Sequence, residues 1–255
     1  MLDYNAMELM ITVGARALVD GSSVVVGTGA PCAAAMLAQR THAPNLVILF
    51  EAGGMAPQLR AAPLSVGDSR TFYKAIQATS MNTVMDACSR GCVDYAFVGG
   101  AQIDAYGNLN STCIGDWSQP KVRFPGSGGA NDLASLCRRT IVLTLQDRRR
   151  FTERVDFITT PGYLTGKGAR EAAGLPADTG PYRVITNLAV LGYDEQSCRM
   201  KVFSIHEGHT REDVVENTGF DLLFADDVEI TLRPTAEELR VLREEVDPDA
   251  IIIGR

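Results

Sequence analysis

The sequence has few of the residues that build metal centres or nucleic-acid interfaces. It contains three histidines and no Cys-x-x-Cys pair, so a zinc site is not expected. Acidic residues outnumber basic ones by 31 to 24, which argues against nucleic acid or an anionic membrane as the main partner. No apolar run approaches the roughly 20 residues of a membrane span. The N-terminal residues Asp3, Asn5 and Glu8 are unlike a signal peptide, and we expect a cytoplasmic protein.

The cysteines and the overall composition point to an ordinary globular enzyme-sized chain. Six cysteines are scattered through apolar segments of 255 residues, and a chain of this length does not depend on disulfides, so reduced and mostly buried thiols are expected. Cys88 and Cys92 lie four residues apart, which predicts one face of a helix. The apolar and charged fractions, 45% and 22%, are those of a soluble globular protein. We predict a single domain over residues 1–255.

The stretch 45–54 contains a continuous apolar run that stops at Glu51. Such a run predicts a strand buried on both faces, as in parallel sheets. Glu51 would then stand at the carboxyl end of a strand, where open α/β sheets bind ligands. The small residues Ala52, Gly53 and Gly54 leave space beside the carboxylate and permit a close backbone approach. On this stretch alone, the simpler interpretation of a strand that meets water is favoured.

A second glycine-rich turn follows the predicted strand 23–26. Thr28 and Gly29 precede Pro31, a residue suited to the first turn of a helix, and the N-terminus of that helix would attract an anion or an oxygen-rich ligand. Strand, Gly-x-Gly, helix and Glu51 about 20 residues later also outline a dinucleotide fingerprint. Cys32 occupies its third glycine position, so a dinucleotide module is a minority alternative.

Two further glycine clusters follow predicted strands or precede helices. The strand predicted at 93–98 leads into Gly99, Gly100 and Gln102, and then into a hairpin. The densest cluster, 126–129, precedes a helical segment at 133–137. Its backbone amides can converge on negative charge that develops on an oxygen. The N–H donors would be those of Gly128, Gly129 and Ala130.

Two groups of basic residues carry alternatives. Arg70, Tyr73 and Lys74 have the spacing of one helix face, which is either solvated or directed at an acidic substrate. The run Arg148, Arg149 and Arg150 is either a solvated face, a phosphate site or a subunit contact.

Helices and strands alternate along the rest of the chain, which indicates an α/β fold. Capping-box patterns predict helix starts at Asn5 and Thr235, the first helix extending to about residue 20. An apolar stripe predicts a helix over 81–88. Residues 162–181 have no periodicity and suggest a lid or an interface arm. Further strands are predicted at 141–145, 184–190 and 200–205.

Several separated motifs resemble one family, the class I CoA-transferases, and within it the B (beta) subunit of glutaconate CoA-transferase. The resemblance covers nearly the whole chain. Its motifs, in order, are Phe50-Glu51-Ala52-Gly53, Ser65-Val66-Gly67-Asp68, Gly99-Gly100-Ala101-Gln102-Ile103-Asp104 with Tyr106-Gly107-Asn108, Ile114-Gly115-Asp116, Gly126-Ser127-Gly128-Gly129-Ala130-Asn131 and Glu216-Asn217-Thr218-Gly219-Phe220-Asp221.

The resemblance implies an open, mainly parallel α/β sheet flanked by helices, of the CoA-transferase or NagB-like type, with additional hairpins. It implies a homologous A (alpha) subunit as partner, acyl-CoA and a carboxylic or dicarboxylic acid as substrates, and coenzyme A as co-substrate with no permanently bound cofactor. Glu51 would be the nucleophile. It would form an acyl-glutamyl anhydride and then a glutamyl-CoA thioester.

The remaining roles are assigned on chemical grounds. Gly128, Gly129 and Ala130 would donate to the oxyanion, supported by Gln102 or by the Gly99 and Gly100 backbone. Positive charge from Arg70, Lys74 or the run Arg148, Arg149 and Arg150 would meet a substrate carboxylate or a CoA phosphate.

Relatives on this scaffold also hydrolyse cyclic acyl-CoA compounds or decarboxylate, in branches where the glutamate is replaced. Because Glu51 is present, transfer is favoured. Acyl-CoA hydrolysis, or related lyase or decarboxylase chemistry, is the alternative. Many relatives carry Asn after the glutamate, whereas Ala52 resembles the glutaconate branch.

Overall fold

The computed structural model describes residues 3–254, which fall into two compact units. The first unit comprises the described residues of Met1–Phe97 and Arg233–Arg255, and the second is Val98–Leu232. The α-helices are α1 (Ala6–Arg16), α2 (Ala30–Arg40), α3 (Met81–Ser89), α4 (Ala130–Leu136), α5 (Ala169–Ala172), α6 (Arg211–Glu216) and α7 (Ala236–Val241). The strands are β1 (Ser23–Val26), β2 (Val47–Phe50), β3 (Gly54–Met55), β4 (Gln77–Ala78), β5 (Tyr95–Phe97), β6 (Gln102–Ile103), β7 (Leu109–Asn110), β8 (Cys113–Ile114), β9 (Val122–Arg123), β10 (Arg139–Leu143), β11 (Gly180–Ile185), β12 (Ala189–Tyr193), β13 (Met200–Ile205) and β14 (Leu223–Ile230).

The first unit contains strands in the order β5-β1-β2-β3-β4. β1 pairs in parallel with both β2 and β5, while β3 and β4 add antiparallel pairs. The apolar runs of β1 and β2 are almost fully buried, as expected for strands covered on both faces. α2 packs against β1 and α1 packs against α2, so an alanine-rich helix lies next to the central strand.

The second unit contains strands in the order β14-β13-β12-β11-β10. β10 is parallel to β11 and β13 is parallel to β14, while β11, β12 and β13 form an antiparallel meander. Two hairpins, β6 with β7 and β8 with β9, lie outside this order. The predicted open α/β sheet with helices and additional hairpins is confirmed.

Several local predictions are confirmed by helix caps. Asn5 accepts a hydrogen bond from the Glu8 N–H, and the Glu8 carboxylate accepts one from the Asn5 N–H. Thr235 and Glu238 form the same reciprocal pair at α7. Each cap satisfies backbone donors that the helix start leaves open.

Other local predictions are wrong. The strand predicted at 184–190 crosses the turn between β11 and β12, because Thr186 binds the backbone of residues 188 and 189 and closes that turn. Cys92 does not share a helix face with Cys88, since α3 ends at Ser89 and Cys92 is exposed. The lid or interface arm expected at 162–181 stays a prediction; within this stretch Arg170 is 2% exposed and donates to the Gly162 and Ala134 carbonyls.

None of the six cysteines, all of which lie within residues 3–254, forms a disulfide. Within residues 3–254 the structure contains no helix that is both long and apolar enough to span a bilayer.

Candidate active site

Glu51 occupies a tight turn at the carboxyl end of β2. The Gly53 N–H donates to the Phe50 carbonyl at 2.9 Å, which closes the turn around Glu51 and Ala52. Phe50 is fully buried and anchors the end of the strand, whereas Glu51 is half-buried. Among the described residues the Glu51 carboxylate has no hydrogen-bond or ion-pair partner. Its oxygens are therefore available to another molecule.

Thr28 and Gly29 leave the sheet at the same edge as Glu51. In the parallel register Val26 pairs with Phe50, so the turns after β1 and β2 start side by side. Gly29 has a φ of +77° and precedes α2, and a Cβ at Gly29 would meet no atom within 4 Å. The space around this turn is open, and the positive end of an 11-residue helix faces the edge.

Cys32 lies in α2 with no exposed surface, and burial raises the pKa of its thiol to about 12. A buried, protonated thiol at the third position of the Gly-x-Gly pattern packs as a small apolar group. It supplies none of the conformational freedom that a glycine would give there.

The glycines after Glu51 make room for the chain itself. A Cβ at Gly53 would lie 2.2 Å from the Thr79 carbonyl oxygen, and a Cβ at Gly54 would lie 1.9 Å from that of Thr71. The close backbone approach expected from the sequence therefore comes from residues 71–79 and not from a ligand at these two positions.

Arg70 and Lys74 do not share a helix face, and this part of the sequence prediction is wrong. Residues Ser69–Phe72 form a single 3₁₀ turn, after which Tyr73 is extended and Lys74 has a φ of +49°. The Arg70 guanidinium binds Asp68, at 2.6 Å from Oδ2, and also the Ala62 carbonyl. Lys74 is exposed, with its Nζ 5.7 Å from the centre of the Tyr73 ring. Arg70 is committed to internal contacts, and Lys74 remains open to solvent.

In the second unit, Gly99 and Gly100 differ in their surroundings. Gly99 is exposed, and a Cβ there would meet nothing within 4 Å. Gly100 packs on β7, where a Cβ would come within 3.0 Å of the Asn110 carbonyl oxygen. Close packing against β7 thus explains the glycine at position 100, whereas the backbone of Gly99 is accessible.

Gln102 is buried in a polar network. Its Nε2 donates to Asp156 at 3.2 Å, and its Oε1 accepts from Asn110 Nδ2 at 2.6 Å and from the Asp156 N–H at 3.0 Å. Asp156 also accepts from the Gly115 N–H at 3.0 Å. Gln102 therefore orders the surrounding backbone through contacts within the unit.

The glycine cluster 126–129 forms a turn into α4 in which one of the expected donors is occupied. The Ala130 N–H donates to the Ser127 carbonyl at 2.9 Å, so the expected Ala130 donor is already used. The Gly128 and Gly129 N–H groups make no hydrogen bond within residues 3–254. Ser111 holds the loop, since its Oγ donates to the Gly126 carbonyl at 2.9 Å and its own carbonyl accepts from the Gly126 N–H.

The residues that hold these loops carry no recognisable sequence signal. Asn110, Ser111 and Thr159 form a hydrogen-bonded group behind the 126–129 turn, and Asp156 comes from an ordinary charged run.

The basic run behaves mostly as a surface group. Arg149 has a 98% exposed side chain, and Arg150 donates to Thr144 Oγ1 at 3.0 Å. Arg148 lines a cavity of about 300 Å³ with residues 218–222. A cavity of about 1080 Å³ elsewhere in this unit is lined by Asp104, Asp156 and Phe157, among others, and by none of the predicted site residues. Among residues 3–254 no group of three or more His, Cys, Asp or Glu is arranged to hold a metal ion.

Comparison with known proteins identifies the class of protein to which this fold belongs. Residues 8–217 match the family model described as Coenzyme A transferase. The chain is 39% identical to the B subunit of glutaconate CoA-transferase from Acidaminococcus fermentans, over 98% of this chain and 96% of that protein. It is 37% identical to the B subunit of 3-oxoadipate CoA-transferase from Pseudomonas knackmussii, over 95% and 94% of the two chains.

Solved structures agree with these matches. The crystal structure of the Acidaminococcus fermentans glutaconate coenzyme A-transferase superposes with a TM-score of 0.93 over 98% of each chain, at 37% identity. The decarboxylase AibA/AibB superposes with a TM-score of 0.85 at 25% identity, over 99% of this chain and 100% of that one. The chain belongs to the coenzyme A transferase family. Within the family, it is a CoA-transferase subunit of the B type.

Proposed function

We propose that this chain is the catalytic B subunit of a heteromeric enzyme that moves CoA from an acyl-CoA donor to a carboxylic acid, with Glu51 as the nucleophile. The observation that carries the proposal is the half-buried Glu51 carboxylate, which has no partner among residues 3–254 and lies in a turn at the carboxyl end of β2. Its relatives are named as B subunits, and we propose a homologous A subunit as the partner of this chain.

The proposed reaction is a sequence of acyl substitutions. A Glu51 oxygen attacks the thioester carbonyl, the C–S bond breaks, and an acyl-glutamyl anhydride and CoA thiolate result. The thiolate attacks the glutamyl carbonyl, the donor acid leaves as its carboxylate, and a glutamyl-CoA thioester remains. An acceptor carboxylate then attacks this thioester, and the same steps in reverse release the new acyl-CoA.

The energetic demands of this scheme fit the groups available. A carboxylate is a weak nucleophile, so it must be held against the carbonyl with water excluded. Orientation of the reactants can lower the barrier by about 7 to 11 kcal/mol, and each oxyanion donor adds about 3 to 4 kcal/mol. We assign the donors to the unbonded Gly128 and Gly129 amides, with Gly99 as a further backbone group. Gln102 supports them by ordering its neighbours, and the Ala130 amide fixes the turn.

The substrate-binding groups belong to the same proposal. Thr28 and Gly29 follow the neighbouring strand β1 at the same edge as Glu51, and we propose that they contact the acyl group or CoA. Lys74 is exposed and offers a positive charge to a substrate carboxylate or a CoA phosphate. Arg70, which is held by Asp68, serves this role less directly. The 3-oxoadipate and glutaconate relatives make a dicarboxylic acid the first acceptor to test.

The test is to trap CoA on the Glu51 peptide. The chain, co-expressed with its A subunit, is incubated with acetyl-CoA in the absence of an acceptor acid. We expect the Glu51 peptide to gain the mass of CoA less one water, and Glu51→Gln to lose transfer activity by a factor on the order of 10⁴. Glu195→Gln, at an exposed carboxylate, is the matched control and should retain both.

Other outcomes separate the alternatives. Release of one CoA for each acetyl-CoA consumed, in the absence of an acceptor acid, identifies an acyl-CoA hydrolase that uses the same nucleophile. Full transfer by Glu51→Gln would refute the covalent role of Glu51.

A further inference from the structure

Asp68 belongs to a motif that the proposed mechanism leaves without a role. Its Oδ1 accepts from the Arg70 N–H at 2.9 Å, and its Oδ2 accepts from Arg70 Nε at 2.8 Å and from the Leu64 N–H at 3.2 Å. These hydrogen bonds, led by the one from the Arg70 side chain, hold the pKa of Asp68 well below its usual range. An ionised Asp68 thus caps the 3₁₀ turn Ser69–Phe72.

Thr71 is the buried residue of that 3₁₀ turn. It has no exposed surface, and both its N–H, at 2.9 Å, and its Oγ1, at 2.7 Å, donate to the Asp68 carbonyl. Two hydrogen bonds to the Asp68 carbonyl, one from the backbone and one from the side chain, therefore hold Thr71 in position.

The Thr71 carbonyl lies directly against the segment that follows Glu51. It approaches Gly54 so closely that a Cβ there would be 1.9 Å from its oxygen. Further along the same segment, Gly54 pairs with Ala78, and the Thr79 N–H donates to the Gly53 carbonyl at 3.0 Å. Residues 68–79 thus contact both glycines that come after Glu51.

We propose that Asp68 and Thr71 are positioning residues for Glu51, acting through Gly53 and Gly54; this inference rests on the proposed nucleophilic role of Glu51. The Glu51 turn itself is closed by a single backbone hydrogen bond, from Gly53 to Phe50. Residues 68–79 pack against Gly53 and Gly54, where the chain leaves the Glu51 turn. This packing holds the turn in place, and it thereby sets the direction from which the Glu51 carboxylate meets a thioester. A misplacement of about 1 Å in such a reaction lowers the rate by about 100-fold.

The test uses the assembled enzyme and variants of one buried hydroxyl. Thr71→Val keeps the shape and removes the hydrogen bond to Asp68, Thr71→Ser keeps the hydroxyl, and Asp68→Asn keeps an oxygen for the Arg70 N–H but removes the ion pair. We measure the rate of CoA attachment to Glu51, the KM for acetyl-CoA, and complex formation with the A subunit.

We expect Thr71→Val and Asp68→Asn to slow attachment by about 10- to 100-fold, with KM within about threefold of wild type and complex formation unchanged. Thr71→Ser should restore the wild-type rate. The control is Asp86→Asn on α3, which removes an exposed ion pair with Arg90 in the same unit and should change none of the three quantities.

Two results would overturn the inference. The first is attachment at the wild-type rate in both Thr71→Val and Asp68→Asn. The second is a slower rate that only follows loss of the folded complex, as seen by thermal unfolding and gel filtration. If the wild-type complex itself attaches no CoA, the proposed function fails, and the positioning role fails with it. This outcome is distinguished from the other two because it is seen in the wild type, without any substitution at 68 or 71.

Discussion

Individual carboxylates in this chain differ in what their oxygens contact. Asp104 is 6% exposed and accepts from the Tyr106 and Asn108 N–H groups and from the Asn108 side chain; burial, the larger effect, raises its pKa. Asp68 and Asp156 are likewise held by neighbouring donors. Lone pairs used in this way are less available for attack on a carbonyl. Glu51, with no such donor in residues 3–254, differs in this respect from Asp68, Asp104 and Asp156.

His206 gives a prediction for stability against pH. It is 2% exposed, and its ring nitrogens lie 2.8 Å from Thr231 Oγ1 and from the Thr186 carbonyl. Burial lowers its pKa below the ordinary 6.5, so the folded state keeps the neutral ring. As the pH falls through 6.5 the unfolded chain binds a proton that the folded chain does not, and the free energy of unfolding falls.

Denaturant unfolding at about pH 7.5 and about pH 5.5 checks this expectation. Wild type should lose more stability on acidification than His206→Gln, whose side chain does not titrate. His42→Gln, at an exposed histidine, should behave like wild type. Equal losses in wild type and His206→Gln would contradict the prediction.

At the scale of elements, α1 and the π-helical turn Leu242–Val246 are joined by a largely buried ion pair. Arg243 donates through Nε at 2.6 Å and Nη2 at 2.9 Å to the two oxygens of Glu8, whose side chain is only 2% exposed. Removal of the arginine would leave a buried charge, which typically costs about 3 to 5 kcal/mol. We therefore expect Arg243→Ala to lower the free energy of unfolding by about 3 kcal/mol.

Arg240→Ala is the matched control for that change. Arg240 lies on the same C-terminal stretch but pairs with exposed Glu237 and Glu245, and exposed pairs contribute little. Chemical unfolding of both variants should separate them clearly. A similar, small effect of the two substitutions would show that Glu8 does not depend on Arg243.

The elements that could be predicted from sequence are those with strong local causes. The apolar runs predict β1 and β2, and the capping patterns at Asn5 and Thr235 predict the starts of α1 and α7. These predictions succeed because each depends only on residues a few positions apart in the sequence. β14 was missed because Asp226, Asp227 and Glu229 break its apolar pattern, although it pairs with β13 along an edge. The helix expected around Arg70 is wrong because Asp68 caps a single 3₁₀ turn there. The Tyr73 carbonyl then accepts from the Gln58 N–H and the Thr71 carbonyl packs against Gly54, and both of these contacts involve residues more than ten positions away.

The candidate site shows the same division. Glu51 and the glycine turns are recognisable from strand ends, and their order matches the family. The network of Gln102, Asn110 and Asp156 joins residues separated by up to 54 positions, so no local pattern reports it. The hydrogen bond of the Ala130 N–H within its own turn likewise depends on the backbone conformation of the folded loop, which the glycine pattern does not reveal.

At the scale of the whole molecule, exposed apolar side chains give a prediction about assembly. Leu64, Ile76 and Met81 are 66%, 88% and 50% exposed, and all lie close in sequence to the 68–79 segment. Large apolar side chains that stay exposed within one short stretch of chain are suited to a protein contact. We expect the proposed A subunit to cover them.

Substitution at the most exposed of these side chains tests the expectation. Ile76→Glu should weaken the complex with the A subunit on the order of 10-fold, as measured by titration of the separated subunits. Ile251→Glu, at another exposed isoleucine, should leave the affinity unchanged. Unaltered binding by Ile76→Glu would exclude this surface from the subunit contact.

The composition of the first unit has a consequence for biosynthesis. Ala62 donates to the Val246 carbonyl, Asn5 donates to the Ile253 carbonyl, and Leu239, Leu242 and Val246 are buried in the core. These late residues leave the ribosome after all of Val98–Leu232 has been made. The unit that carries Glu51 can therefore complete its core only after Val98–Leu232 has been synthesised, so its early strands and helices wait on the ribosome for the late residues that cover them.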